Sequence, residues 1–230
     1  MPPLPYEPPA PPRPPALPPS RVRRIRVEGR RIEIDGRTIF FKGVCWSPVD
    51  IGSSPNRGDL PNFAQRVMED AALMRAAGIN AVRTYEPLMD HETLDVLHAY
   101  GIMVINTVLY STEWGTTIDD AVAAVREVGD HPAVVAWGLF NEPNLASVSD
   151  GSGYYLRDGH LRAGSRLHTD YLAFATAVKA ADPQRPIVMA WGESADGLLD
   201  AATMSEYSLV DIFGFNLYRG VTNGDAYDTW

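Results

Sequence analysis

The chain has 230 residues, of which 45% are hydrophobic and 21% charged, and it carries a formal net charge of −9. This composition is ordinary for a globular protein with a sizeable core. The acidic balance excludes nucleic acid as an expected main partner, because phosphate binding needs a basic face. Cys45 is the single cysteine, which excludes an intrachain disulfide.

Targeting signals are not visible in the sequence. No apolar run reaches the length of a transmembrane helix, so no membrane segment is predicted. The N-terminus lacks a basic region followed by an apolar region, so no signal peptide is predicted either. The expected location is the cytoplasm, unless the natural start lies further upstream.

The first twenty residues contain eleven prolines. Proline removes a backbone donor and fixes φ, so this stretch favours a polyproline-type disordered tail over any helix or paired strand. We predict a proline-rich tail over residues 1–22 and one folded domain over residues 23–230. Pro8, Pro11 and Arg13 also fit a P-x-x-P-x-R pattern that adaptor domains bind, although such patterns arise by chance in proline tracts.

The folded part begins with a predicted β-hairpin. Residues 26–34 alternate in polarity, and Asp35-Gly36 is a strong tight-turn dipeptide. Its second arm, residues 38–44, continues into an apolar strand. Helices and strands then alternate: the apolar patterns predict helices near 61–77, 92–100, 121–128, 162–181 and 198–207, and strands near 79–82, 102–108, 134–140, 186–190 and 210–215.

Six strands alternating with helices indicate an α/β fold with a parallel sheet and helices outside it. A doubly wound sheet is the competing architecture, but no G-x-G-x-x-G or Walker sequence follows any strand. We therefore predict a (β/α)₈ TIM barrel. A full barrel needs eight strands and about 250 residues, so the prediction is an incomplete barrel of about six βα units from a longer enzyme.

Residues that follow barrel strands share one rim, where such barrels hold their functional groups. At this rim we expect mostly aromatic and amide side chains, together with a few charges: Trp46, Arg83, Tyr85, Asn106, Tyr110, Asn141, Glu142, Trp191, Glu193, Asn216 and Tyr218. Aromatic faces and amides are typical of sugar sites. Core packing is the alternative for any single Trp or Tyr.

The rim contains the tripeptide Asn141-Glu142-Pro143, which closes an apolar strand. Together with other strand-end segments it resembles the retaining glycoside hydrolases of clan A, most closely the family 2 catalytic barrel. Family 5 glucanases and fungal β-1,3-glucanosyltransferases are similar in weaker ways. The segments that carry the resemblance are Phe41-Lys42-Gly43-Val44, Gly78-Ile79-Asn80-Ala81-Val82-Arg83, Tyr100-Gly101-Ile102, the run from His131 to Pro143, and Phe215-Asn216-Leu217-Tyr218.

The resemblance implies roles for individual residues. Glu142 matches the general acid/base after the fourth barrel strand, and Asn141 matches the amide that binds the sugar 2-hydroxyl. Arg83 matches an arginine that supports the nucleophile, and Tyr218 a tyrosine that hydrogen-bonds it. The candidate walls of the sugar subsites are three aromatic residues: Trp46, Tyr85 and Trp191.

The resemblance also implies a nucleophilic carboxylate after a seventh strand, and no segment after Tyr218 supplies it. Glu193 is the alternative, but it follows the fifth strand. No histidine has metal-ligand spacing and no G-x-S-x-G elbow occurs, so neither a metal nor a cofactor is expected.

The sequence thus predicts hydrolysis or transglycosylation of a β-linked, neutral glycan, with this chain alone nearly inactive. Two alternatives stay open: a non-catalytic carbohydrate-binding protein, and an interaction protein organised by the tail. The oligomeric state also stays open.

Overall fold

The computed structural model describes residues 23–47, 63–111, 115–144, 163–193 and 201–218. The proline-rich segment, residues 1–22, lies outside the described residues. The tail and its P-x-x-P-x-R pattern therefore stay predictions.

The first structural unit is a small antiparallel sheet with the strands β1 (Ile25–Glu28), β2 (Arg31–Ile34) and β3 (Arg37–Ile39). The predicted Asp35-Gly36 turn is confirmed: Asp35 has φ 54° and Gly36 φ 78°, as a two-residue type I′ connection requires. The sheet has one strand more than the predicted hairpin. The chain also reverses at Gly29, whose φ is 55°, and this divides the predicted first arm in two.

The rest of the described chain alternates strands and helices. These elements are β4 (Gly43–Trp46), α1 (Phe63–Ala76), β5 (Ala81–Thr84), α2 (His91–Ala99), β6 (Met103–Leu109), α3 (Ile118–Val128), β7 (Val134–Asn141), α4 (Arg166–Ala181), β8 (Ile187–Gly192), α5 (Ala201–Glu206) and β9 (Ile212–Asn216). The strands β4 to β9 are all parallel and lie side by side in chain order. A doubly wound sheet would reverse that order at a switch point. The fold is therefore a curled half-barrel, which confirms the predicted incomplete TIM barrel.

Two predicted helix starts move because of capping side chains. The helix α3 begins three residues before the predicted residue 121, since Thr117 and Asp120 form a reciprocal capping box. The helix α4 begins later than predicted, where the Ser165 hydroxyl accepts the His168 N–H at 3.1 Å. No helix among the described residues is both long and apolar enough to cross a membrane.

The core has two parts. The larger part lies between the six-stranded sheet and its helices. The smaller part joins Ile34 of the N-terminal sheet to Ala81, Met103 and Val135, all buried. Those three residues stand at or next to the amino ends of β5, β6 and β7. The small sheet therefore covers the amino end of the barrel, opposite to the strand ends that carry the predicted site.

A cluster of imidazoles lies between α2 and the start of β7. The His98 and His131 rings meet edge to face with centroids 6.2 Å apart, and both side chains are buried. His131 Nδ1 accepts the Ala133 N–H at 3.1 Å and Nε2 lies 3.2 Å from an Asp95 carboxylate oxygen, so the ring is neutral with its proton on Nε2. Burial lowers the pKa of both histidines, and the Arg23 guanidinium, 3.4 Å from His98 Nδ1, lowers the pKa of His98 further.

These lowered pKa values predict acid destabilisation. At a pH between the lowered pKa values of the folded chain and the ordinary value near 6.5, the unfolded chain binds more protons than the folded chain does. The free energy of unfolding therefore falls as the pH drops below 6.5. We expect a slope of at most about 1.4 kcal/mol per pH unit for each histidine, and none from these groups above pH 6.5. Urea unfolding at pH 7.5, 6.5 and 5.5 measures it. His98→Gln should reduce the slope, and stability that is level or rising on acidification would contradict the prediction.

Candidate functional site

The end of β7 departs from regular strand geometry. Trp137 faces the helices, since its Nε1 donates at 2.9 Å to Asp182, the residue that caps the end of α4. In a regular strand, where side chains alternate between the two faces, Leu139 and Asn141 would face the helices as well. The register against β8 shifts between Leu139 and Asn141, and the extra residue Phe140 has φ 58°. This β-bulge turns Asn141 away from the helices, to the face where Arg83 contacts it.

Hydrogen bonds stabilise the bulged backbone. The Asn141 N–H donates to the Tyr110 carbonyl at 3.1 Å, and the Glu142 N–H donates to the Ala190 carbonyl at 2.7 Å. Arg83 Nη2 donates to the Phe140 carbonyl at 3.2 Å. Glu142 itself has φ 49°, so two of three consecutive residues adopt left-handed conformations. Such conformations persist where the surroundings over-determine them, and they are concentrated at functional sites.

The Asn141 side chain is the centre of the cluster. Its Oδ1 accepts Arg83 Nη1 at 3.0 Å and Asn216 Nδ2 at 3.4 Å, while its Nδ2 donates to the Tyr110 hydroxyl at 3.0 Å. Because guanidinium nitrogens only donate, these contacts fix which end of the amide carries oxygen. Arg83 thus holds both the backbone and the side chain of the β7 end.

The Glu142 carboxylate lies next to this amide. Its Oε1 accepts Asn216 Nδ2 at 2.9 Å and the Tyr218 hydroxyl at 2.6 Å. The hydrogen bond to Glu142 is the main reason why the pKa of Tyr218 rises to about 12, with burial adding to it. Tyr218 is 72% exposed, so it forms the solvent side of the cluster. The structure brings together four predicted site residues: Arg83, Asn141, Glu142 and Tyr218.

Tyr85 lies beside this group. Its ring centroid is 5.7 Å from that of Tyr110, which in turn accepts from Asn141. Burial raises the pKa of Tyr85, and the neighbouring Cys45 raises it further. Cys45 is the register partner of Arg83 in the β4–β5 pair. The tyrosine pair therefore extends the cluster towards β4.

Two predicted subsite walls lie in the core instead. Trp46 is buried, and its Nε1 donates to Asp70 of α1 at 2.8 Å. Trp191 is fully buried, with its ring centroid 4.9 Å from that of Tyr207. Asn106, also predicted at the rim, is fully buried and bonds the Leu88 backbone at 2.8 and 2.9 Å. A position near a strand end did not bring these three side chains into the cluster.

Two further residues contribute to the site. Asn216 was predicted at the rim without a role, yet it bonds both Asn141 and Glu142. Asn144, which the sequence did not single out, is buried against Gly192. The backbone N–H of Glu193 donates to the Asn216 carbonyl at 3.2 Å. Among the described residues, no group of three or more His, Cys, Asp or Glu side chains is arranged to hold a metal ion.

Comparisons with known proteins agree with this fold. Residues 25–117 match the family described as glycosyl hydrolases family 2, TIM barrel domain. A β-glucuronidase from Chlorocebus aethiops is 28% identical over 179 residues, an alignment that covers 74% of this chain and 24% of that protein. The chain thus spans about a quarter of the length of the curated relatives it matches.

Solved structures give the same result at the level of the fold. The β-glucuronidase of Bacteroides uniformis aligns with a TM-score of 0.64 and 19% identity, over 86% of this chain and 23% of that one. The endo-1,4-β-mannanase of Eisenia fetida aligns with a TM-score of 0.56 and 16% identity, over 84% of this chain and 72% of that one. The predicted resemblance is confirmed: the chain is similar to the TIM barrel domain of the family 2 glycosyl hydrolases.

Proposed function

We propose that this barrel acts in the hydrolysis of β-linked glycosides by a retaining mechanism, with Glu142 as the general acid/base. The observation that supports it best is the cluster at the end of β7, in which Glu142 Oε1 meets Asn216 and Tyr218 beside the fixed Asn141 amide. A strand-end carboxylate at the carboxyl rim is where TIM barrels carry catalysis. The family match to a glycosyl hydrolase barrel adds support.

Retaining hydrolysis divides the work between two carboxyl groups. One donates a proton to the leaving oxygen and later takes one from water, while the other, about 5–5.5 Å away, attacks the anomeric carbon. Asn216 Nδ2 and the Tyr218 hydroxyl both donate to Glu142 Oε1, so they fix one oxygen of the proposed acid/base in place. The proposal covers the proton-transfer half, and the resemblance assigns the nucleophile to a segment after a seventh strand.

Asn141 and Arg83 have supporting roles in this proposal. Arg83 and Asn216 both donate to Asn141 Oδ1, so the Nδ2 side is where a sugar 2-hydroxyl would approach, beside Tyr110. A fixed amide gives such a contact orientation as well as energy. The proposed substrate is a carbohydrate with a β-linkage. Because the curated relatives are named β-glucuronidase, aryl β-glucuronides should be tested beside neutral aryl β-glycosides.

An assay with azide as an added nucleophile tests the role of Glu142 in the chain as it is. Azide attacks the anomeric carbon, the bond to the aryl oxygen breaks, and that oxygen takes its proton from Glu142. We expect Glu142→Gln to slow the release of a basic phenol at least about 100-fold, the typical contribution of a general acid. Release of dinitrophenol, which leaves without a proton, should change far less.

Glu193→Gln is the matched control for this assay. It removes a carboxylate that also follows a barrel strand. The ratio between the release rates of the basic phenol and of dinitrophenol should stay as it is in the unsubstituted chain. If Glu142→Gln slowed both leaving groups equally, or neither, the proton-transfer role would be wrong. If Glu193→Gln instead removed turnover that azide restores, Glu193 would be the nucleophile.

Carbohydrate binding without turnover is the second candidate function. The observation that favours it is the Tyr85–Tyr110 pair beside the Asn141 amide, because aromatic faces next to amides suit sugar rings and hydroxyls. Retention of a glycan that shows no bond cleavage, with or without azide, would favour this candidate over hydrolysis.

A further inference from the structure

The side chain of Asn144 joins the loop after β7 to the end of β8. Its Nδ2 donates to the Gly192 carbonyl at 2.7 Å, and its Oδ1 accepts the Gly192 N–H at 2.9 Å. Asn144 as a residue is 5% exposed. One carboxamide thus satisfies both backbone groups of Gly192, as the peptide groups of a neighbouring strand would do.

A backbone hydrogen bond to the same strand lies just before this connection along the chain. The Glu142 N–H donates to the Ala190 carbonyl at 2.7 Å. The Asn144 side chain then bonds the backbone of Gly192, which lies two residues after Ala190 in β8. Glu142 is therefore held between two attachments to the same strand, one at its own backbone and one two residues later.

The same connection reaches a hydrogen-bond partner of Glu142. Gly192 is the register partner of Asn216 in the β8–β9 pair, and Asn216 Nδ2 donates to Glu142 Oε1 at 2.9 Å. Residues Glu142, Asn144, Gly192 and Asn216 thus form a closed circuit around the end of β7. Glu142 sits in this circuit with φ 49°, a conformation that a non-glycine residue leaves when nothing holds it.

We infer that Asn144 is a positioning residue for Glu142: its double hydrogen bond to Gly192 keeps the Glu142 carboxylate against Asn216 and Tyr218. Asn144 acts through Glu142, without contact to a substrate. The inference rests on the proposed function of Glu142. Without the connection, the loop relaxes from its left-handed conformation and carries the carboxylate away from its two donors.

Carbon-13 spectra of the chain labelled at its glutamate carboxyl groups test this without any turnover. The Glu142 resonance is the one that disappears in Glu142→Gln, and Tyr218→Phe gives its position with one hydrogen bond missing. We expect Asn144→Ala to shift this resonance in the same direction as Tyr218→Phe, and Tyr218→Phe to add little in the Asn144→Ala background. The Gly192 amide should exchange with solvent at least about tenfold faster, the equivalent of one hydrogen bond of about 1.4 kcal/mol.

Asn106→Ala is the matched control, since Asn106 makes the same double hydrogen bond to Leu88 on another loop. It should speed exchange of the Leu88 amide and leave the Glu142 resonance where it is. If Asn144→Ala does not fold, Asn144→Asp takes its place. This variant keeps the shape of the side chain and the hydrogen bond from the Gly192 N–H, but it loses the Nδ2 donor to the Gly192 carbonyl. A shift of the Glu142 resonance in the same direction as in Tyr218→Phe supports the inference. An unchanged Glu142 resonance with faster Gly192 exchange would overturn it. A Glu142→Gln variant that releases basic phenols normally would remove the proposed function alone.

Discussion

Replacing Trp191 by Ala is expected to lower the free energy of unfolding by about 3–5 kcal/mol, the usual range for a large aromatic residue in a core. The indole is fully buried, and its ring packs edge to face on Tyr207, which in turn lies 4.6 Å from Tyr171 between ring centroids. Removing it leaves a cavity between β8 and the helices. Urea unfolding followed by circular dichroism measures the loss.

Trp191→Phe is the control, because it keeps an aromatic ring against Tyr207. It removes part of the indole volume together with the Nε1 donor, which is buried and has no hydrogen-bond partner among the described residues. The Phe variant should therefore lose much less stability than the Ala variant. If Trp191→Ala kept its stability within about 1 kcal/mol and lost affinity for sugar, the side chain would be a subsite wall after all.

Replacing Asp182 by Ala is expected to lower the free energy of unfolding by a similar amount, about 3–5 kcal/mol. Its carboxylate accepts Trp137 Nε1 and Arg185 Nη1, each at 2.9 Å, and both charged side chains are buried. Arg185 also donates to the Val134 carbonyl at 2.8 Å, so it cannot move to water without breaking the contact with β7. The substitution leaves a buried guanidinium without its counter-charge.

Asp170→Ala is the control for this second prediction. Asp170 pairs with Arg166, whose side chain is 86% exposed, and such surface pairs contribute about 0–1 kcal/mol. Thermal and urea unfolding of both variants give the comparison. An Asp182→Ala variant no less stable than Asp170→Ala would show that the buried pair adds nothing to the fold.

The sheet was predictable because a parallel strand is buried on both faces and appears as an unbroken apolar run. Gly78 and Gly101 marked where the helices between the strands end, and both have positive φ, 74° and 75°. Within the N-terminal sheet the turn at Gly29 was missed, although the apolar positions shift there from Ile25 and Val27 to Ile32 and Ile34, which breaks the strict alternation. The structure has two turns where one was predicted.

The faces of the strands could not be predicted from the same runs. In β8 every residue is buried, so polarity does not distinguish the face of Trp191 from that of Ala190. Tyr207, the residue after α5, determines the face of Trp191 through a ring contact that no local sequence pattern contains. The buried position of Trp46 was hidden for the same reason, since its partner Asp70 lies on α1.

The centre of the site depends on a backbone irregularity. Asn141 reaches Arg83 only because Phe140 adds a residue to β7, and an apolar residue in an apolar run gives no sign of a bulge. The resemblance to a known family predicted that Asn141 and Glu142 belong to the site. It did not explain how the end of β7 turns their side chains towards Arg83 and Tyr218. Asn144 was missed because an asparagine after a proline is typical of an ordinary turn.

The position of the N-terminal sheet separates stability from selectivity in this fold. Its apolar side chains pack on Ala81, Met103 and Val135 at the amino end of the barrel. The cluster around Asn141 lies at the opposite end, among the loops that follow the strands. Those loops can change in length and sequence without disturbing the packing at the amino end. Barrels of this design can therefore acquire new specificities by loop variation while the packing beneath stays constant.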